Sequence, residues 1–193
     1  MKKLFAILLF LITTHIQAFD ILALGSSNIN CHNANQAFTK TLNELLIEEK
    51  ISASVINAGL DGDKPQFMLS RLKSNLSNNK NIKLVIFEPG PNETNISWSL
   101  EKSKEILQFL SEKNIPSIYV SNRSIQSPED ARVFSESNGA YFYGNYTKGM
   151  TRTREFCQLD GQGCGHLSEN GCQIWAKQML PLVKRVVTEK GIE

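Results

Sequence analysis

The sequence has little net charge and, beyond its first residues, no long hydrophobic run. Twenty-one Lys and Arg nearly balance 19 Asp and Glu among 193 residues, for a formal charge of +2. Proteins that bind nucleic acid usually carry a strongly basic stripe, so we expect no nucleic-acid partner. The one apolar run, from Leu4 to Ile12, follows two lysines and is shorter than the roughly 20 residues of a membrane-spanning helix. It predicts a cleaved signal peptide, residues 1–18, and a retained membrane anchor is the less favoured alternative.

Cysteine is also scarce, and its four copies all follow the predicted cleavage site: Cys31, Cys157, Cys164 and Cys172. In an exported protein, periplasmic or secreted, disulfides are their default state, but the sequence does not choose among the three possible pairings. A zinc cluster of Cys157, Cys164, His166 and Cys172 is the alternative. Its spacing matches no familiar zinc motif, so we expect no metal and no cofactor.

Residues 19–193 have a length typical of one compact domain, and we expect a monomer. Short apolar strands alternate with amphipathic helices along this part. The predicted strands are 20–24, 52–57, 82–87 and 118–120, and the predicted helices are 33–50 with Asn33 as N-cap, 65–76, 100–112, and 169–190 with Ser168 as N-cap. This alternation predicts an α/β fold, a flavodoxin-like three-layer sandwich with a mainly parallel central sheet.

The stretch from residue 122 to residue 165 has weak periodicity. It is interpreted as a surface connection with an edge strand and a helix near 128–137, and a lid that shapes the substrate site is the alternative.

Candidate catalytic groups lie in loops where predicted strands end, which is where open parallel sheets bind ligands. Ser27, in a Gly-Ser-Ser-Asn turn at a helix start, offers a hydroxyl near backbone N–H groups. Gly62 offers a backbone N–H and Asn92 a side-chain amide to an oxyanion. His166, in a glycine-rich loop before the last helix, is the better base of the two histidines that remain after cleavage. Each residue alone also has an ordinary role in a turn or on the surface.

Taken in order, the four loops resemble the four motif blocks of the SGNH (GDSL-type) hydrolases, nearest to the small exported acyl-thioesterases and lysophospholipases. The matching segments are Gly25-Ser26-Ser27, residues 57–62, Gly90-Pro91-Asn92 and residues 160–168. The resemblance implies a serine esterase with Ser27 as nucleophile and His166 as base. It also implies an oxyanion hole from the N–H groups of Ser27 and Gly62 and the side chain of Asn92.

Two residues depart from the family pattern. Ser26 replaces the aspartate before the nucleophile, and Gly163 stands three residues before the histidine, where the family has an aspartate. Asp160 is the candidate third catalytic residue, displaced by a short insertion. The expected substrate is a small-molecule ester or thioester, either a lipid acyl ester or an acetylated sugar, with transient lipid or glycan contact. The alternatives are a catalytically weakened SGNH-fold module that binds a glycan or lipid, and a flavodoxin-like nucleotide binder.

Overall fold

The computed structural model describes residues 18–122, 124–159 and 164–192. The predicted signal peptide, except Ala18, therefore lies outside the described residues. The elements, in chain order, are β1 (Phe19–Gly25), α1 (Ser27–Asn30), α2 (Ala37–Glu48), β2 (Ala53–Gly59), α3 (Pro65–Asn78), β3 (Ile82–Phe87), α4 (Ile96–Glu112), β4 (Ser117–Ser121), α5 (Pro128–Ser137), β5 (Tyr141–Asn145), β6 (Cys157–Leu159), β7 (Cys164–Leu167) and α6 (Glu169–Lys190).

Strands β1 to β5 form one parallel sheet in the order β2-β1-β3-β4-β5. Helices cover both faces of the sheet, and successive residues of β1 point alternately into the two cores. Ile21 and Ala23 join the core beneath α2 and α6, whereas Leu22 and Leu24 join the core beneath α3 and α4. Burial on both faces explains why residues 21–24 of β1 form an unbroken apolar run. The predicted α/β sandwich with a parallel central sheet is confirmed.

The start of α2 differs from the prediction. Asn33 does not cap it: α2 begins at Ala37, after the short helix α1, which Ser26 caps. Four residues between these helices have positive φ angles of 47° to 56°: Cys31, Asn33, Asn35 and Gln36. Since a left-handed residue cannot continue an α-helix, the chain makes an irregular turn here and only then enters α2. A disulfide from Cys31 to Cys172 ties this turn to α6.

The stretch of weak periodicity, residues 122–165, begins after β4. It contains α5 and then β5, which is the predicted edge strand beside β4. An antiparallel hairpin of β6 and β7 follows, which the sequence analysis missed. The Cys157–Cys164 disulfide closes this hairpin. All four cysteines are therefore disulfide-bonded, and the zinc-cluster alternative is wrong because its thiolate ligands are absent.

Ser168 caps α6 as predicted, with its Oγ accepting from the N–H of Gly171 at 3.1 Å. Within the described part of the chain, no helix is both long and apolar enough to cross a bilayer.

Candidate active site

Ser27 and His166 meet at the edge of the sheet where the parallel strands end. Ser27 is the first residue of α1, directly after β1, and it is 7% exposed. The hydroxyl Oγ of Ser27 lies 2.9 Å from Nε2 of His166, although 139 residues separate them in sequence. A hydroxyl at this distance from an imidazole nitrogen can pass its proton to that nitrogen.

His166 lies in strand β7 and not in the loop that the sequence analysis predicted. It pairs in register with Gln158 of β6. The side-chain amide of Gln158 donates to the carbonyl of Leu167 at 2.7 Å and also to the carbonyl of His32. The hairpin is thus hydrogen-bonded to the turn after α1, which fixes the imidazole relative to the serine. The candidate third member, Asp160, lies outside the described residues.

A buried carboxyl group supports the turn that holds Ser27. Glu88, the residue after β3, is fully buried, and its Oε2 accepts from Oγ of Ser26 at 2.9 Å. The side-chain amide of Asn28 donates to the other oxygen at 3.0 Å. Ser26 and Asn28 flank Ser27, so one carboxyl group fixes both sides of the candidate nucleophile. Ser26 therefore donates a hydrogen bond to the Glu88 carboxyl group, which stabilises this turn.

The sequence analysis did not single out Glu88, because its role depends on a contact between β3 and α1. Burial, partly offset by hydrogen bonds from Asn28, Ser26 and Gly90, raises the pKa of the Glu88 carboxyl. The charged form is disfavoured because few water molecules can solvate it.

Gly90 brings the loop after β3 against the turn that holds Ser27, called the nucleophile turn after the candidate role of Ser27. Its φ angle is +71°, and a Cβ atom built on it would lie 2.6 Å from Cβ of Ser26. Only glycine fits such a close approach in this backbone conformation. The same position is 3.6 Å from Nδ2 of Asn92, so this amide lies beside the nucleophile turn. Nδ2 of Asn92 donates to the carbonyl of Asp63 at 2.9 Å.

The loop after β2 holds Gly62, with a φ angle of +75°. Asp63, the residue after Gly62, has a buried carboxylate. Nε of Arg71 in α3 donates to this carboxylate at 2.8 Å and so fixes the loop. The guanidinium also donates to the carbonyl oxygens of Ala58 at 2.7 Å and of Gly25 at 3.1 Å. One side chain therefore connects the ends of β1 and β2 with the Gly62 loop. Arg71 was missed as well, since nothing in its sequence neighbourhood distinguishes it from a surface arginine.

Nδ1 of His32 and a carboxylate oxygen of Asp61 are in hydrogen-bond contact next to His166. The imidazole rings of His32 and His166 are 4.9 Å apart between centroids. Burial by itself would raise the pKa of Asp61, but hydrogen bonds from Asn30 and His32, and the charges of both histidines, outweigh it and lower the pKa. Asp61 thus adds a negative charge near His166.

A cavity of about 290 Å³ opens beside these groups, with Pro91 and Gly165, the neighbours of Asn92 and His166, in its wall. Six polar side chains line it: Asn122, Ser124, Asn145, Thr147, Thr151 and Arg152. The amide oxygen of Asn122 accepts from the hydroxyl of Ser124 at 2.7 Å, and that of Asn145 from the backbone N–H of Thr147 at 2.9 Å. These bonds hold the polar wall in place. Among the described residues, no group of three His, Cys, Asp or Glu is arranged to hold a metal ion.

Comparison with solved structures identifies the fold. The chain is similar to the psychrotrophic esterase EstA from Pseudoalteromonas sp., with a TM-score of 0.75 and 15% identity over 88% of this chain and 98% of the other. It is also similar to AlinE4, an SGNH-hydrolase family esterase, with a TM-score of 0.66 and 20% identity over 89% and 97% of the two chains. The values for the acetyl xylan esterase AlAXEase are 0.66 and 16%, over 86% and 100%.

These likenesses show that the chain has the fold of the SGNH hydrolases, as the four motif blocks led us to expect. No protein-family model and no curated protein matches the sequence. At these identities the fold is shared, and the case for an activity depends on the side chains of the site.

Proposed function

We propose that this protein is an exported serine esterase in which Ser27 is the nucleophile and His166 is the general base. The observation that carries the proposal is the 2.9 Å distance between Oγ of Ser27 and Nε2 of His166. If Ser27 and His166 were ordinary surface residues, no contact between them would be expected at the edge of the sheet where the parallel strands end, next to a cavity. The SGNH-hydrolase fold supports the same conclusion.

The reaction follows from this geometry. Ser27 attacks the carbonyl carbon of an ester while its proton moves to Nε2 of His166, which requires that the neutral ring carry its own proton on Nδ1. The tetrahedral intermediate collapses, and the imidazolium gives its proton to the departing alcohol. Water then attacks the acyl-enzyme, with His166 again as base, and releases the acid.

The oxyanion of the intermediate needs hydrogen-bond donors. The backbone N–H of Ser27, the backbone N–H of Gly62 and the side-chain amide of Asn92 are the proposed donors. Asn92 supports this role because one hydrogen of its NH₂ group is used by the carbonyl of Asp63, which holds the amide beside the nucleophile turn. Asp160 is the proposed third member, which orients the imidazole and stabilises its charged form.

The cavity favours a small polar substrate, such as an acetylated sugar, over a long acyl chain. Hydrocarbon gains free energy only from apolar surface, at about 25 cal/mol per Å², and it would take the remaining hydrogen-bonding positions of the cavity's amides and hydroxyls, and the Arg152 guanidinium, out of water. Hydroxyl groups of a sugar would satisfy them. The similarity to an acetyl xylan esterase agrees with this assignment.

Export follows from the predicted signal peptide, and the two disulfides are consistent with an oxidising compartment. Expression of the full chain in a bacterium with a periplasm tests this step. The purified protein should begin at Phe19, and a product that retains residues 1–18 in the cytosol would contradict export.

A fluorophosphonate probe tests the nucleophile. Wild-type protein should be labelled on Ser27, and Ser27→Ala should not be labelled at all. Ser74→Ala is the matched control, because Ser74 is an exposed serine on α3 and its loss should leave labelling unchanged. Folded wild type that resists the probe and hydrolyses no ester would favour the alternative, a binding module.

A panel of substrates tests the cavity assignment. Acetyl esters of sugars should be hydrolysed with a higher kcat/KM than p-nitrophenyl esters of long fatty acids. Thr147→Val keeps the shape of the wall but removes a hydroxyl, and it should raise KM for the sugar esters while leaving the p-nitrophenyl acetate rate unchanged. Equal losses on both substrates, or a preference for long chains in the wild type, would contradict the assignment.

A further inference from the structure

A second cavity lies on the side of the molecule opposite Ser27. Its volume is about 710 Å³, and it opens where β3 and β4 begin, beside Ile82 and Pro116. The catalytic groups lie where these strands end. The ends of α3, α4 and α6 complete its wall. We call it the basic cavity, after the five lysines that line it: Lys73, Lys80, Lys83, Lys113 and Lys190.

The charge of the basic cavity is unbalanced. No acidic residue is among the described residues of its lining. Three lysines outside the cavity, Lys64, Lys102 and Lys184, do pair with carboxylates. Among the described residues, none of the five lysines of the cavity lies within 4.0 Å of a carboxylate oxygen. A chain of net charge +2 thus collects five positive charges around one concavity, which produces a strong local positive potential.

The floor of the basic cavity is apolar. Leu76, Phe109, Ile115 and Ile192 lie among the lysines and are only partly buried. The ammonium groups of Lys73 and Lys113 lie 5.2 Å and 5.9 Å from the centre of the Phe109 ring. Charged ammonium groups and apolar surface therefore lie next to each other in one concavity, the arrangement that suits a ligand with a charged group and an apolar group.

We propose that the basic cavity binds a single amphipathic anion, with an acidic head group on the lysines and a hydrocarbon part on the Phe109 floor. The five lysines favour a ligand with negative charge, and the apolar floor favours a ligand that also has a hydrocarbon part. The volume falls within the range of about 300 to 1,000 Å³ that is typical of small-molecule sites. A concave site of this size fits one molecule, whereas a bilayer surface contacts residues that protrude. The site is separate from Ser27, so it does not depend on the proposed esterase activity.

Titration calorimetry with monomeric dodecyl phosphate, below its critical micelle concentration, tests the proposal. Wild type should bind one molecule, and the affinity should fall as salt is added, because salt screens the lysines. Inorganic phosphate and dodecyltrimethylammonium are the comparison ligands. Each lacks one half of the recognised chemistry and should bind at least about tenfold more weakly, a difference of about 1.4 kcal/mol.

Variants locate the binding. The triple variant Lys73→Gln, Lys83→Gln and Lys113→Gln removes charge and keeps the long side chains, and it should weaken dodecyl phosphate binding at least about tenfold. The matched control changes three exposed lysines outside the cavity, Lys40, Lys104 and Lys177, to glutamine and should bind within about twofold of wild type.

Ile192→Ser tests the floor and should weaken dodecyl phosphate more than inorganic phosphate. Three results would overturn the proposal: the cavity triple binds like wild type, the quaternary ammonium binds as tightly as the phosphate, or the protein binds anionic vesicles but not the monomer.

Discussion

Replacing Glu88 by glutamine should change how the folding stability depends on pH. Burial raises the pKa of this carboxyl above its ordinary value of 4.5. The folded protein then holds the Glu88 proton more tightly than the unfolded chain does. Stability is therefore lost as pH rises from 4.5 toward the folded pKa, and below 4.5 this loss is absent. Glutamine does not ionise, so the variant lacks this loss.

The contacts of Glu88 set the size of the effect. Below pH 4.5 wild-type Glu88 is neutral, and glutamine can still accept from Asn28. Its NH₂ group would take the place of the O–H of the neutral carboxyl, and both can donate to Oγ of Ser26, which lies 2.9 Å from Oε2. The variant and the wild type should therefore have similar stability in acid. Each further pH unit above 4.5 should then favour the variant by up to about 1.4 kcal/mol, because one proton is involved.

Urea denaturation of both proteins from pH 4 to pH 8 measures this difference. The contributions of all other titrating groups to the pH dependence of the unfolding free energy cancel in the comparison, because both proteins contain these groups. Glu112→Gln is the matched control: Glu112 is exposed at the end of α4, so its loss should produce little pH dependence. A free-energy difference between wild type and Glu88→Gln that stays constant with pH would refute the reasoning.

Three further predictions concern the scaffold and the oxyanion hole. Asn92→Ala should lower kcat about 100- to 1,000-fold with little change in KM, measured on p-nitrophenyl acetate, and an unchanged kcat would remove Asn92 from the oxyanion hole. Arg71→Met should cost about 3 to 5 kcal/mol in urea denaturation, since it leaves the buried carboxylate of Asp63 unpaired; a loss below about 1 kcal/mol would contradict that role. Replacing Cys31 and Cys172 by serine should cost about 5 kcal/mol by loop entropy, because the disulfide closes a loop with a sequence separation of 141, and a melting temperature equal to wild type would contradict this.

The sequence predicted the layers of the fold better than the boundaries of its elements. Apolar runs such as residues 84–87 of β3 are unambiguous because buried parallel strands need apolar residues on both faces. The N-cap of α2 was predicted three residues too early, at Asn33 instead of Gln36, since Asn33 is a good cap by residue type and the left-handed turn is held by a tertiary disulfide. Likewise α4 begins at Ile96 rather than near residue 100, because Asn95 accepts from the N–H of Trp98.

The candidate site could be predicted only in part, for a related reason. Ser27, Gly62, Asn92 and His166 each follow a strand or precede a helix, so the order of the loops suggested them. Glu88 and Arg71 act across the sheet, and no local pattern marks them. The β6–β7 pair that holds His166 has one sign in the sequence: two cysteines seven residues apart, on either side of a glycine-rich segment, a spacing suited to a hairpin closed by a disulfide.

The distance in sequence between Ser27 and His166 has a consequence during synthesis. The hydroxyl emerges from the ribosome near the start of the chain, and its base arrives 139 residues later. The cross-link from Cys31 to Cys172 joins the same two regions and needs an oxidant as well. A truncated polypeptide, or one still being made, therefore lacks part of the proposed reaction centre, and we expect hydrolysis only after the last helix has packed against the sheet.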